Sequence, residues 1–121
     1  MIFRQRFSVV GVASSIVYDT GLQSTQSEKK RLLSVSVIAS LILDNDVQGY
    51  HERAKVFDIP DRLIDFEIDA FTSAEPKAGA RINEVEVGLD IPVGETFKVA
   101  IKCGAAPADI YGTYNYELIG G

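Results

Sequence analysis

His51 is the only histidine in the chain, so any acid–base chemistry by an imidazole has to run through it. Its neighbours Tyr50, Glu52 and Arg53 are polar enough to form a small cluster with it. A hydrolytic triad also needs a presented nucleophile, and the Gly-x-Ser-x-Gly elbow that presents a serine does not occur. The plainer reading of His51 is a solvent-facing strand residue, with a hydrolase-like site around it as the one enzymatic alternative. Cys103 would be nucleophilic only if a cation lowered its pKa. Lys102 is adjacent, but adjacent strand residues point to opposite faces, so Cys103 reads as a small core residue. No catalytic residue is assigned.

Carboxylates are the other chemistry-bearing group. Asp65, Glu67 and Asp69, with Asp58 and Asp61 upstream, could supply oxygen ligands to calcium. Alternate residues on one strand face lie about 7 Å apart, too far for one ion unless a loop closes over them, so a solvated face is the simpler reading. Asp44-Asn45-Asp46 lacks the spacing and glycine of a calcium loop and reads as a turn. Glu84 and Glu86 are a carboxylate pair of the type that cleaves glycosides, but a half-buried strand with charged residues outward produces the same pattern. No metal site is assigned, and no Gly-rich loop joins a strand to a helix, so no nucleotide cofactor is expected.

The elements that position these residues are strands. Val85, Val87, Leu89 and Ile91 alternate with Glu84, Glu86 and Asp90; Phe97, Val99, Ile101 and Cys103 alternate with Thr96, Lys98 and Lys102. Pro92-Val93-Gly94 separates the two runs, which read as a short-connected pair. Leu33, Val35, Val37, Ala39, Leu41 and Leu43 fall on every odd position of a long strand, with Ser34, Ser36 and Ser40 between them. Ile38 and Ile42 sit on its second face, which is therefore partly covered, as in a central strand or one under a subunit contact. Ile64 to Ala70 reads as a further strand by its alternation, with a helix as the alternative because Ile64, Ile68 and Phe71 also match helical spacing. Weaker strands lie near Phe3 to Val9, from Ser15 to Tyr18, from Val47 to Ile59 with a split near Glu52, and from Ile110 to Ile119. In the last, Tyr114 and Tyr116 share one face and Tyr111 takes the other, making Tyr111 the better contact residue. Loops are expected at 19–28, 44–46, 72–80 and 104–109.

The whole is an all-β, two-sheet antiparallel sandwich of about seven or eight strands, one domain over 1–121, jelly-roll-like rather than immunoglobulin-like. A chain without tryptophan and with one cysteine lacks the marks of a true immunoglobulin domain. A hydrophobic content of 46% with 24% charged residues supports a core and argues against disorder. A net charge of −5 argues against a nucleic-acid surface, the basic run Lys29-Lys30-Arg31 being too short to alter that. Charge in the first six residues and serines within the longest apolar run argue against a signal peptide and a transmembrane segment.

Three stretches carry a family resemblance: Arg31-Leu32-Leu33-Ser34-Val35-Ser36-Val37, then Ile91-Pro92-Val93-Gly94-Glu95-Thr96-Phe97-Lys98-Val99, then Tyr114-Asn115-Tyr116-Glu117-Leu118. Their rhythm of alternation and turns resembles that of small single jelly-roll proteins of virus particles. The resemblance implies a capsid, vertex or other virion component that self-associates into rings or shells, with no catalytic residue to carry over. The expectation is a non-enzymatic structural protein with homo-oligomeric or other structural partners, its contacts drawn from Ile38, Ile42, Tyr50, His51 and Tyr111. A carbohydrate- or protein-binding sandwich is the alternative.

Overall fold

A computed structural model of the protein describes residues 1–40, 43–64 and 82–119. Its strands are β1 (Phe3–Val9), β2 (Ile16–Tyr18), β3 (Leu22–Gln23), β4 (Lys30–Ala39), β5 (Asp46–His51), β6 (Ala54–Pro60), β7 (Glu84–Ile91), β8 (Thr96–Lys102) and β9 (Ile110–Leu118), with one 3-10 turn at Asp61–Leu63. They form a four-stranded sheet in the order β1-β9-β4-β7 and a five-stranded sheet in which β2-β8-β5-β6 run in order and β3 also pairs with β8. All these pairings are antiparallel.

The pairings nest. The first strand pairs with the last (β1 with β9), β2 and β3 with β8, β4 with β7, and β5 with β6. A long antiparallel ribbon folded over on itself gives this order, which is that of a jelly roll; β2 and β3 are two pieces of one interrupted strand. Two antiparallel sheets face each other across the core, as the alternation in sequence requires.

That core contains Phe7, Val9, Leu22, Leu32, Val35, Val37, Val47, Ile91, Phe97, Val99, Ile101, Ile110 and Tyr114, all essentially buried. Phe7 and Phe97 pack on Tyr114 with ring centroids 5.1 and 6.3 Å away. The faces read for β7, β8 and β9 are the observed ones: Val85, Val87, Leu89 and Ile91 turn inward, Glu84, Glu86 and Asp90 outward, and Cys103 is a buried free thiol. The split near Glu52 is a tight hairpin between β5 and β6, with Glu52 at a φ of 57°.

Four expectations need correction or fall outside the described residues. In β4 the inward residues are Leu32, then Val35, Val37 and Ala39, because a bulge at Leu33 shifts the register between Leu32 and Ser34. Leu33 is half-buried, and the ladder to β7 slips opposite Gly88, whose φ of +61° suits glycine. β7 and β8 are not a hairpin pair: the turn at Pro92–Glu95 carries the chain from one sheet to the other. The expected loop 19–28 contains β3, where Leu22 is fully buried. Most of the strand expected at Ile64 to Ala70 lies outside the described residues, as do Asp65, Glu67, Asp69 and Ile42; Ile64 itself is a buried residue bridged to Ile82.

Candidate functional site

The interruption between β2 and β3 leaves part of the β8 backbone without a strand beside it. Asp19 and Tyr114 fill the gap. Asp19 donates its N–H to Val99 O (2.9 Å), while Val99 N–H donates across the core to the Tyr114 hydroxyl (3.0 Å), which itself donates to Asp19 Oδ2 (2.7 Å). A buried backbone N–H left unpaired is costly, so this tyrosine ties the two sheets together. Burial raises the Tyr114 phenol well above its ordinary value, and the Asp19 carboxylate adds to this.

A second buried device holds the turn before β5. Asp61 is buried, and its Oδ2 accepts the N–H groups of Leu43 (2.8 Å) and Asn45 (2.9 Å). Asn45 in turn accepts from Gly104 N (3.0 Å) and donates to Ala106 O (3.1 Å). The reading of 44–46 as a turn agrees with this. Asp61 thus holds the backbone through Oδ2, while its buried Oδ1 has no hydrogen-bond partner among the described residues, and Asp58 pairs with Lys55 at 3.0 Å. Among the described residues no three His, Cys, Asp or Glu side chains converge as a metal site.

His51 does not face open solvent. It pairs with Phe97 in the β5–β8 ladder, so it shares the core-side face and lies at the rim of the sandwich, with its side chain 23% exposed. Its Nε2 lies 2.6 Å from Glu95 Oε1, without a hydrogen bond between them. Glu52, the acid next to it in sequence, accepts the Thr96 N–H at 3.0 Å. Glu95 comes from the β7–β8 connection, a neighbour that no local spacing announces.

The outer face of the four-stranded sheet is a polar network. After the bulge, Ser34, Ser36 and Ile38 point outward beside Asn115, Thr113 and Tyr111 of β9. Asn115 Nδ2 donates to Ser34 Oγ (3.0 Å) and Ser36 Oγ (2.9 Å). Ser34 donates to Glu84 Oε2 (2.6 Å), and Thr113 donates to Asn115 Oδ1 (2.8 Å). Arg31 bonds Asp90 at 2.6 Å and Glu117 at 3.3 Å; its hydrogen bond to Asp90 raises the guanidinium pKa and holds the Asp90 carboxyl below the usual range. Ile38 and Tyr111, expected contacts from distant segments, are direct cross-strand partners and line a shallow depression of about 350 Å³ with Ser36, Asn83 and Glu84.

Tyr50 lies apart from them, on the outer face of the five-stranded sheet. Its ring meets Tyr18 edge-on at 5.5 Å, Lys98 Nζ stands 4.8 Å over Tyr18, and its hydroxyl donates to Gln48 Oε1 (2.6 Å). Burial, with the Tyr18 hydroxyl nearby, raises the Tyr50 pKa. Sequence reading misses Tyr18, since the three residues of β2 carry too little alternation to show a face. The expected contacts thus divide among two outer surfaces and the rim. What the fold and these surfaces define is a jelly-roll sandwich with an aromatic core, two buried polar ties and polar outer faces. No family model matches the chain, and no curated protein or solved structure is significantly similar to it. No helix among the described residues is long and apolar enough to cross a membrane.

Proposed function

We propose that this chain is a non-enzymatic structural protein that self-associates into a ring or shell, as a component of a virus particle. The observation that carries this reading is the nested jelly-roll order closed over an interior occupied by Phe7, Phe97 and Tyr114. Jelly rolls that bind small molecules inside need a hollow; one packed with aromatic rings works through its outside and its edges. The virion resemblance of the β4, β7–β8 and β9 sequences points the same way. Light scattering after size exclusion, over a range of concentrations, tests it: the expected mass is a multiple of 13.2 kDa, and a constant 13.2 kDa would overturn self-assembly.

A carbohydrate- or protein-binding module is the second reading, favoured by the Tyr18–Tyr50 pair with Lys98 beside it. Tyr18 is 46% exposed, and an aromatic face with an adjacent cation suits sugar rings or a partner's side chains. Titration of the protein with oligosaccharides, followed by tyrosine fluorescence, should give saturable binding that Tyr18→Ala abolishes if this reading holds.

A further inference from the structure

The two edges of the four-stranded sheet carry opposite charge. β1 has Arg4 and Arg6 exposed and no acid; β7 has Glu84, Glu86 and Asp90 exposed and no base. Among the described residues β1 pairs only with β9, and β7 only with β4, so each presents an unpaired backbone edge. Asp90 is neutralised within its own chain by Arg31, whereas Arg4, Arg6 and Glu86 make no ion pair among the described residues.

The register across the sheet aligns these charges. One transverse row on the outer face runs Arg4, Asn115, Ser34, Glu86, and another runs Arg6, Thr113, Ser36, Glu84. A row on the core side begins at Phe3 and ends at Leu89, both half-buried. With four alternating strands, β1 and β7 run in opposite directions. A second copy placed by repeating the sheet sideways therefore lays its β7 antiparallel to β1 of the first. Glu86 then meets Arg4, Glu84 meets Arg6, and Leu89 covers Phe3.

From this we infer that copies of the chain join head to tail, β1 of one pairing with β7 of the next, so that the four-stranded sheet continues through the assembly. The inference rests on the self-association reading and names its interface. Two-fold pairing of like edges is disfavoured, because β1 on β1 sets arginine against arginine and β7 on β7 sets glutamate against glutamate. A heterologous junction of this kind closes into a ring or runs on as a filament.

Charge swaps test it, with mass followed by light scattering and folding by circular dichroism. R4E and E86K, both at exposed positions, should each raise the apparent dissociation constant about tenfold or more, since a cross-strand attraction becomes a repulsion. The double variant R4E/E86K should recover assembly, as should an equimolar mixture of the single variants, because every junction then regains one acid and one base. If the wild type assembles and neither single variant weakens it, or the double variant fails to recover while still folded, the edge junction is overturned and the assembly reading stands. A wild type that remains at 13.2 kDa at every concentration overturns both.

Discussion

In the four-stranded sheet β9 meets β4 over nine residue pairs, broken only by the bulge at Leu33, and meets β1 over seven. In the five-stranded sheet β8 meets β2 over three pairs and β3 over two, with a gap between them. Where the ladder is nearly continuous, the backbone is satisfied by backbone. Ser34, Ser36, Thr113 and Asn115 are then free to build a surface, and at its edges Arg4, Arg6 and Glu86 make no ion pair among the described residues. Where it is interrupted, side chains are drawn into backbone repair, as with Tyr114 and Asp19 at Val99. The first sheet is therefore the place to look for association, and the second for residues whose loss unfolds the protein.

The sharpest way to break the continuous ladder is Gly112→Ala. A Cβ there would stand 1.8 Å from Ser36 O and 2.8 Å from the tip of the Phe7 ring, so β9 and β4 could not keep their separation. A loss of about 3 kcal/mol is expected, read from the urea midpoint. At Gly104 a Cβ meets nothing within 4 Å, and Gly104→Ala should change stability by about 0.5 kcal/mol or less.

Breaking the repair in the other sheet should cost somewhat less. Tyr114→Phe keeps the ring packed on Phe7 and Phe97 but orphans the Val99 N–H, for a loss of about 2 kcal/mol. It should also flatten the alkaline limb of stability. The folded-state pKa of Tyr114 is raised, so its contribution is complete below the unfolded value of about 10 and declines as pH rises above it, when only the unfolded chain releases the proton. The stability difference between wild type and Tyr114→Phe should shrink between about pH 10 and 11. A constant difference would mean that the phenol ionises as readily in the folded chain as in the unfolded one, and the buried hydroxyl tie would fail.

How much of the fold is legible in the residue types follows from the same contrast. Alternation is local, so the inward faces of β7, β8 and β9 and the opposed positions of Tyr111 and Tyr114 can be read from residue types alone. The bulge at Leu33 is harder: its only trace is the apolar doublet Leu32-Leu33, and counting odd positions from Leu43 back to Leu33 carries the wrong phase past it. Pro92-Val93-Gly94 marks a turn without saying whether the strands stay in one sheet. β3 rests on a single buried side chain, Leu22, which has no period at all. Of the expected contacts, Ile38 and Tyr111 meet because strand register joins distant segments, while His51 and Tyr50 fall on opposite faces of β5 as neighbours on a strand must. The charged edges are illegible for a related reason: Arg4 and Glu86 belong to one row only once β9 and β4 lie between them.

Asp61→Ala sharpens the comparison at a second repair site. It would strip the acceptor from the Leu43 and Asn45 N–H groups at the entrance to β5, with an expected loss of 1–2 kcal/mol, roughly, and faster hydrogen exchange confined to those amides. Uniform acceleration across β5 and β8 would instead mean that the turn is needed for the whole sheet.

The smallest effect is expected on the face that the continuous ladder leaves free. Ser34 is only 5% exposed, yet its neighbour Asn115 retains Ser36 and Thr113 as partners, and Glu84 lies exposed to water. Ser34→Ala should therefore cost about 0.5–1 kcal/mol, by urea denaturation, with no group left stranded. A loss as large as that of Tyr114→Phe would mean that the outer network supports the sheet as much as the core tie does. The distinction between a sheet that holds itself and one held by its side chains would then fail. A small loss, with assembly unaltered, would separate the network's hydrogen bonds from the edge charges of Arg4 and Glu86 as the source of association.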